Sequence, residues 1–243
     1  MAAIARSEAF PQQACPLGIC DGSGWLLGPE DVARPCECRE QRLKRGRSRG
    51  VASVIPPRYR GVSFDRPPVS DMGRDMQTKN AVGDVRKFID ELDERLDRGE
   101  GLWLFGDTGT GKTTLAMLVS KAALKAGHSV AIYSLPKLLA RIRRTYDSEP
   151  GGDSYLSLFE RLTSVDLLHI DDLGAEKRSD WVLEQLYALI NERYETQRSM
   201  LVTTNLPHED LEEQIGSRTV SRLSQICDEV PLFGTDRRYG KAA

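Results

Sequence analysis

The sequence predicts an α/β fold: a parallel sheet flanked by helices, with a small cysteine-bearing region ahead of it. Three observations carry that reading. Short apolar runs of strand length, at 101–105, 129–133, 165–170 and 200–204, alternate with amphipathic stretches of helical period. The first run leads directly into Gly106-Asp107-Thr108-Gly109-Thr110-Gly111-Lys112-Thr113-Thr114, a glycine-rich turn that opens a helix. Four of the five cysteines lie between residues 15 and 38, outside the alternation.

Length and charge bound the rest. A chain of 243 residues accommodates one good-sized domain and an appendage. With 34 Lys and Arg against 36 Asp and Glu, the net charge of −2 excludes coating nucleic acid by bulk charge, while leaving room for local basic patches. Residues 1–14 hold no apolar core of signal length, and no apolar run approaches a membrane span. The expectation is a cytoplasmic protein without a membrane partner. Stable disulfides are rare there, so the cysteines call for metal or for packing.

In the N-terminal region, residues 1–50, the cysteines pair as Cys15-x4-Cys20 and Cys36-x-Cys38, with Asp21-Gly22-Ser23-Gly24 able to turn between them. Two close pairs suggest a four-thiolate zinc site, which would supply folding energy that so short a segment cannot draw from a core. Unpaired thiols or a redox pair are the alternatives. Cys227, in a stretch that reads as helical, is expected as a small buried hydrophobe. Six basic residues between 39 and 49 form either a solvated linker or a contact to phosphate or an acidic partner. After Pro56-Pro57 come Tyr59 and Phe64, which could flank a base or pack on the core.

The second region, 51–243, opens with an amphipathic helix expected over 80–96, carried by Val82, Val85, Phe88, Ile89, Leu92 and Leu96. The turn at 106–113 then fits G-x-x-x-x-G-K-[ST]. Its glycines let successive backbone N–H groups curl around the α- and β-phosphates of a nucleoside triphosphate; Lys112 reaches the β/γ-phosphates, and the Thr113 hydroxyl sits on Mg²⁺. Leu115, Leu118, Val119 and Ala122 recur at helical spacing after it, so a helix dipole is added to the phosphate site. A helix over 137–146 carries Lys137, Arg141, Arg143 and Arg144 beside Leu138, Leu139 and Ile142. It is either an ordinary surface helix or a contact to a DNA backbone.

The apolar run at 165–170 ends in Asp171-Asp172, which delivers carboxylates to the sheet edge beside the glycine turn. Asp171 would hold Mg²⁺ through water, and Asp172 would orient the attacking water; a shorter Asp in place of Glu predicts slower hydrolysis. A helix over 179–194 leads to Met200-Leu201-Val202-Thr203-Thr204-Asn205, where Asn205 could contact the γ-phosphate or the lytic water. Beyond Pro207, Arg218 and Arg222 are either two surface arginines or a finger for a neighbouring subunit's γ-phosphate.

The set Gly106–Thr113, Asp171-Asp172, Thr203-Thr204-Asn205 and Arg218-x-x-Ser221-Arg222 resembles the AAA+ P-loop ATPases. Within them, Ile170-Asp171-Asp172-Leu173-Gly174 and Thr203-Thr204-Asn205-Leu206 are most similar to the DnaC/DnaI helicase loaders and the IstB transposition helpers. The resemblance covers roughly residues 55–239 and extends to the cysteine-rich N-terminus. It implies Walker A at Gly106, Gly111, Lys112 and Thr113, and Walker B at Asp171 and Asp172. It further implies a first sensor at Asn205, an arginine finger at Arg222 with Arg218 beside it, and a second sensor at Arg237 or Arg238.

Three functions are carried forward. The leading one is an ATP-dependent loader of the hexameric replicative DNA helicase. Its N-terminus would contact the helicase, its ATPase domains would associate as a homo-oligomer on ATP binding, and Lys137 to Arg144 would meet single-stranded DNA. The runner-up is an IstB-like helper of a transposase on duplex DNA, and the third is a nucleotide-gated binding module without catalysis. A small-molecule kinase is disfavoured because nothing forms an acceptor pocket.

Overall fold

The computed structural model describes Cys15 and residues 17–20, 25–27, 33–38, 55–146 and 154–237. Contacts divide the chain into two compact units, Met1–Gly46 and Arg47–Ala243.

In the first unit, strand β1 (Trp25–Leu27) pairs antiparallel with β2 (Ala33–Pro35), Trp25 opposite Pro35 and Leu27 opposite Ala33. An antiparallel return brings the residues before β1 and after β2 to one end of the ribbon. Cys20 and the pair Cys36 and Cys38 occupy those two positions.

The second unit begins with a 3₁₀ turn, Pro57–Tyr59, and three helices: α1 (Val69–Met72), α2 (Lys79–Asp90) and α3 (Leu92–Asp97). The helix expected over 80–96 is thus two. Glu91 leaves helical geometry (φ −102°, ψ 18°), and Arg95 ties back to the Glu91 carboxylate at 2.9 Å and out to Asp228 at 2.6 Å. Apolar spacing runs through the break unchanged, so the pattern alone could not reveal it.

Strand β3 (Gly101–Phe105) runs into helix α4 (Lys112–Ala126), and strand β4 (Val130–Ser134) is followed by α5 (Leu135–Arg144) and α6 (Tyr155–Ser164). Strand β5 (Leu167–Asp171), helix α7 (Asp180–Glu195), strand β6 (Ser199–Thr204), helices α8 (His208–Ile215) and α9 (Ser217–Ile226) and strand β7 (Cys227–Pro231) complete the unit. Ser154 and Ser179 cap α6 and α7 through their hydroxyls, which accept from Ser157 N at 3.2 Å and Val182 N at 3.3 Å. Cys227 is buried as expected, but it starts β7 rather than sitting in a helix, opposite Gly101 in the β3 register.

All five strands are parallel, in the order β4-β5-β6-β3-β7. The chain leaves β3 for the far edge, walks back through β5 and β6, and ends on the other side of β3. That reversal puts the carboxyl ends of β3, β6 and β5 side by side, where open α/β sheets bind ligands. Helices cover both faces, which is why β3 reads as a continuous apolar run. Trp103 packs on one side with Leu138, Leu186 and Leu223, and Leu102 and Leu104 on the other with Phe88, Leu115 and Val119. Among the described residues, no helix is long and apolar enough to cross a membrane.

Candidate nucleotide-binding site and cysteine cluster

The turn after β3 is held from outside by the segment that follows β7. Leu232 N donates to Phe105 O at 2.7 Å, Asp107 N to Leu232 O at 3.1 Å, and Arg237 N to Gly109 O at 3.1 Å. Gly234 N reaches the Asp107 carboxylate at 2.9 Å. Gly106 adopts φ +128°, and a Cβ there would collide with the Leu232 carbonyl, so that position requires glycine on two counts. Inside the curl, the buried Lys112 ammonium donates to the carbonyls of Gly106 at 2.8 Å and Asp107 at 2.5 Å. Thr110 closes the turn through its hydroxyl to Asp107 O at 2.8 Å.

A cleft of about 480 Å³ opens over this loop. Thr108, Gly109, Gly111, Lys112, Thr113 and Thr114 line it from the turn and the start of α4. Asp171, Asp172 and Asn205 line it from the ends of β5 and β6, and Arg58 and Tyr59 from the 3₁₀ turn. Gly111 (φ +108°) sits at the N-cap of α4, so the unpaired N–H groups and positive dipole end of that helix face the cleft. Phe64 takes the other of its two expected roles: it packs on the core, with the Arg86 guanidinium 4.3 Å above its ring.

At the rim, the Thr113 hydroxyl donates to Asp171 Oδ1 at 2.9 Å. The Thr203 hydroxyl donates to the same oxygen at 2.7 Å and accepts from Asp172 N at 2.9 Å. Thr203 therefore holds the Asp171 carboxylate and the backbone of Asp172, a role that the sequence, where it appears only within the Thr203-Thr204-Asn205 string, did not assign to it. Its signal was a hydroxyl residue at the carboxyl end of a strand, directly after the apolar run Met200-Leu201-Val202. Asp172 turns the chain immediately after β5 in the left-handed region, φ +57°. The hydroxyl and carboxylate oxygens of Thr113 and Asp171 form an all-oxygen donor pair of the kind Mg²⁺ takes.

A second polar contact joins the same two elements deeper in. The Ser120 hydroxyl and His169 Nδ1 lie 2.9 Å apart. Ser120 is two helical turns from Thr113, and His169 is one strand repeat from Asp171, so both contacts lie along one α4–β5 seam. Burial pushes the His169 imidazole down to about 3, and among the described residues its Nε2 has no hydrogen-bond partner.

The remaining candidate residues lie elsewhere. Arg222 is outside the cleft lining, on α9, where its Nε donates to Asn191 Oδ1 and its guanidinium faces the rings of Tyr187 and Tyr194. Arg218 is exposed. The Arg237 guanidinium pairs with Asp75 and with Thr78 Oγ1, away from the cleft, and Arg238 lies outside the described residues. On α5, Lys137, Arg143 and Arg144 are exposed, and Arg141 donates to the Tyr133 hydroxyl at 3.0 Å.

In the first unit, the four sulfurs of Cys15, Cys20, Cys36 and Cys38 all lie within 4.8 Å of one another, Cys20 and Cys38 at 3.5 Å. Metal–sulfur arms of about 2.3 Å in a tetrahedron would place sulfurs roughly 3.8 Å apart, so the cluster fits one ion. Cys36 and Cys38 are buried. Burial and the neighbouring thiols push the Cys38 thiol up to about 12, while the Cys20 backbone amide draws Cys15 down to about 6. The expected turn 21–24 and the basic stretch 39–49 lie outside the described residues.

The family model of the IstB-like ATP binding proteins matches residues 77–235. The chain belongs to that family. As an IstB-like ATP binding protein it has the fold of the AAA+ P-loop proteins. It is 26% identical over 172 residues to the uncharacterized protein YdaV of Escherichia coli K12, a match covering 71% of this chain and 65% of YdaV. It is also 26% identical over 186 residues to the replicative helicase loader DnaC of the same strain, covering 76% of this chain and 72% of DnaC. A crystal structure of the DnaC helicase loader superposes with a TM-score of 0.63 at 26% identity, over 73% of this chain and 99% of that one.

Proposed function

We propose that this chain is an ATP-driven loader of a replicative DNA helicase. The observation that carries the proposal is the match to DnaC over 186 residues, joined to a cysteine cluster that precedes the nucleotide unit in the sequence. In this reading, the N–H groups at the start of α4 and the Lys112 ammonium hold the phosphates of ATP. Thr113 and Asp171 hold Mg²⁺, which would neutralise charge on the β- and γ-phosphate oxygens. Asp172 and Asn205, both lining the cleft, position the water that attacks the γ-phosphate. Arg222, outside its own chain's cleft, serves the cleft of a second copy. ATP binding holds the assembly and hydrolysis releases it.

The division of labour assigns residues 1–50 to the protein partner, with zinc on Cys15, Cys20, Cys36 and Cys38 as a structural ion. Residues 51–243 form the ATPase. The exposed Lys137, Arg143 and Arg144 on α5 take single-stranded DNA phosphates, and the site of action is the cytoplasm.

The experiment is a native-mass titration against the replicative helicase of the same cell, with and without ATP. A defined complex that needs residues 1–50 is expected. Lys112→Ala should weaken ATP binding on the order of a hundredfold and lose the ATP-dependent form of that complex. Unchanged ATP affinity in Lys112→Ala removes the site assignment. No complex in either nucleotide state, beside an active helicase control, favours a second reading that the family match supports. In that reading the chain is an IstB-like helper of a transposase, and ATP-dependent binding to duplex DNA becomes the assay.

A further inference from the structure

Arg222 is presented in an unusual way for a surface arginine. Its Cζ stands 5.2 Å from the ring centroid of Tyr187 and 5.4 Å from that of Tyr194, so the planar cation is stacked by two rings. Its Nε donates to the side-chain oxygen of Asn191. Tyr187, Asn191 and Tyr194 are spaced four and three residues apart on α7, which puts all three on one helical face, the one along which α9 packs.

The cradle is itself fixed. Asn191 Nδ2 donates to the Glu195 carboxylate at 2.9 Å, which orients the amide so that its oxygen turns to Arg222. The Tyr194 hydroxyl donates to Gln225 Oε1 at 2.9 Å, and Gln225 Nε2 returns to Ser221 O at 3.2 Å on α9. Among the described residues, Nη1 and Nη2 of Arg222 have no hydrogen-bond partner, and the side chain remains half-exposed. One edge of the guanidinium is thus spent on holding its orientation, and the forked edge that binds phosphate or carboxylate bidentately is left over.

We propose that Tyr187, Asn191 and Tyr194 are positioning residues that pre-set the Arg222 fork for an oxyanion on a second copy of this chain, the γ-phosphate of its bound ATP. The inference rests on the trans role given to Arg222 above. Pre-organisation is what the arrangement contributes: a free arginine would lose several rotamers on reaching the phosphate, whereas a stacked and hydrogen-bonded one has lost them already.

The test measures ATP turnover per chain against protein concentration, together with KM for ATP and melting temperature. Arg222→Ala is expected to lose at least about a hundredfold of the concentration-stimulated turnover. Tyr187→Leu should lose roughly three- to tenfold in kcat with KM unchanged, and Tyr187→Phe, which keeps the ring, should restore it. Asn191→Asp is nearly isosteric but offers the guanidinium a carboxylate of its own; it should depress stimulated turnover at least as far as Tyr187→Leu.

A mixture of Arg222→Ala and Lys112→Ala chains should regain turnover, since one supplies the site and the other the finger. The regained turnover should fall when Asn191→Asp is added to the Lys112→Ala chain. Turnover that never rises with concentration, or that is normal in Arg222→Ala, removes the trans role itself. Loss in Arg222→Ala with wild-type turnover in Asn191→Asp and Tyr187→Leu overturns the cradle and leaves the trans role standing.

Discussion

The two units reach order by opposite routes. The nucleotide unit buries apolar side chains on both faces of a five-stranded sheet, Trp103 on one and Leu102 and Leu104 on the other. The first unit has a three-residue ribbon whose Trp25 is 41% exposed, and its buried described residues are two cysteines, Cys36 and Cys38. The large unit can fold on area removed from water, at about 25 cal/mol per Å². Among the described residues of the small one no such apolar core is present, and what they offer instead is four thiols converging on a point. The contrast implies that the thiol-bearing module and the nucleotide unit that follows it in the sequence draw stability from different sources, which the perturbations below separate.

The strongest way to break this contrast is removal of metal. Purified protein is expected to carry one zinc per chain, and stripping it with a chelator should unfold the ribbon outright. Structural zinc contributes on the order of 10 kcal/mol or more to sites of this kind. Melting of the nucleotide unit should not move. A ribbon whose backbone amide spectrum survives chelation would place its stability somewhere other than the thiols.

The mirror perturbation is smaller. Leu104→Ala, at a fully buried position in the interior strand β3, should cost roughly 2–5 kcal/mol and lower the melting of the nucleotide unit. Zinc content should stay at one per chain. Zinc loss in step with unfolding of that unit would mean that the two orders are coupled.

The finest distinction concerns acid. His169 is buried with its basicity pushed from 6.5 down to about 3 by desolvation alone. The unfolded chain therefore takes up a proton that the folded one refuses, and stability falls as pH drops from about 6.5 toward 3. His128 carries the opposite sign. The Asp166 and Asp93 carboxylates hold it above 6.5, so its contribution is present below that value and is lost as pH rises through the raised one. Replacing His169 with Leu should flatten the fall in melting temperature between pH 7 and pH 5 by a few degrees, on the order of 1 kcal/mol. An unaltered acid slope would show that His169 is hydrated or protonated in the folded state. Wild-type His128 in the same protein serves as the internal contrast.

What could be read from the residues differs between the two chemical sites for a physical reason. The phosphate loop is local: Gly106 to Thr113 are contiguous, and their positive φ values and N–H groups are properties of that short segment. The cysteine cluster was legible for a similar reason, since two close pairs need only one ribbon turn to meet. Thr203 was not legible as the residue that sets Asp171 and Asp172, because its role depends on β6 lying between β3 and β5. Nor could periodicity mark Arg193, a fully buried arginine on α7 whose fork donates to Leu162 O at 2.8 Å and Val165 O at 3.0 Å. At its position in the sequence it looks like any charged residue of an amphipathic helix.

By itself, then, the sequence determined a parallel α/β unit built around a phosphate loop, four of its five strands along the chain, and two close cysteine pairs ahead of it, while β7 reads as helix. Those follow from short-range spacing, where a few residues carry the physics. Only the tertiary structure decided which long-range partners complete each group: Leu232 behind Gly106, Thr203 against the Asp171 carboxylate and the Asp172 backbone, Ser120 against His169, and the tyrosines of α7 around Arg222. Such contacts join residues tens of positions apart through the reversal in strand order. Hydrophobic periodicity carries no record of that reversal, because a helix or strand shows the same pattern whichever neighbour it packs against.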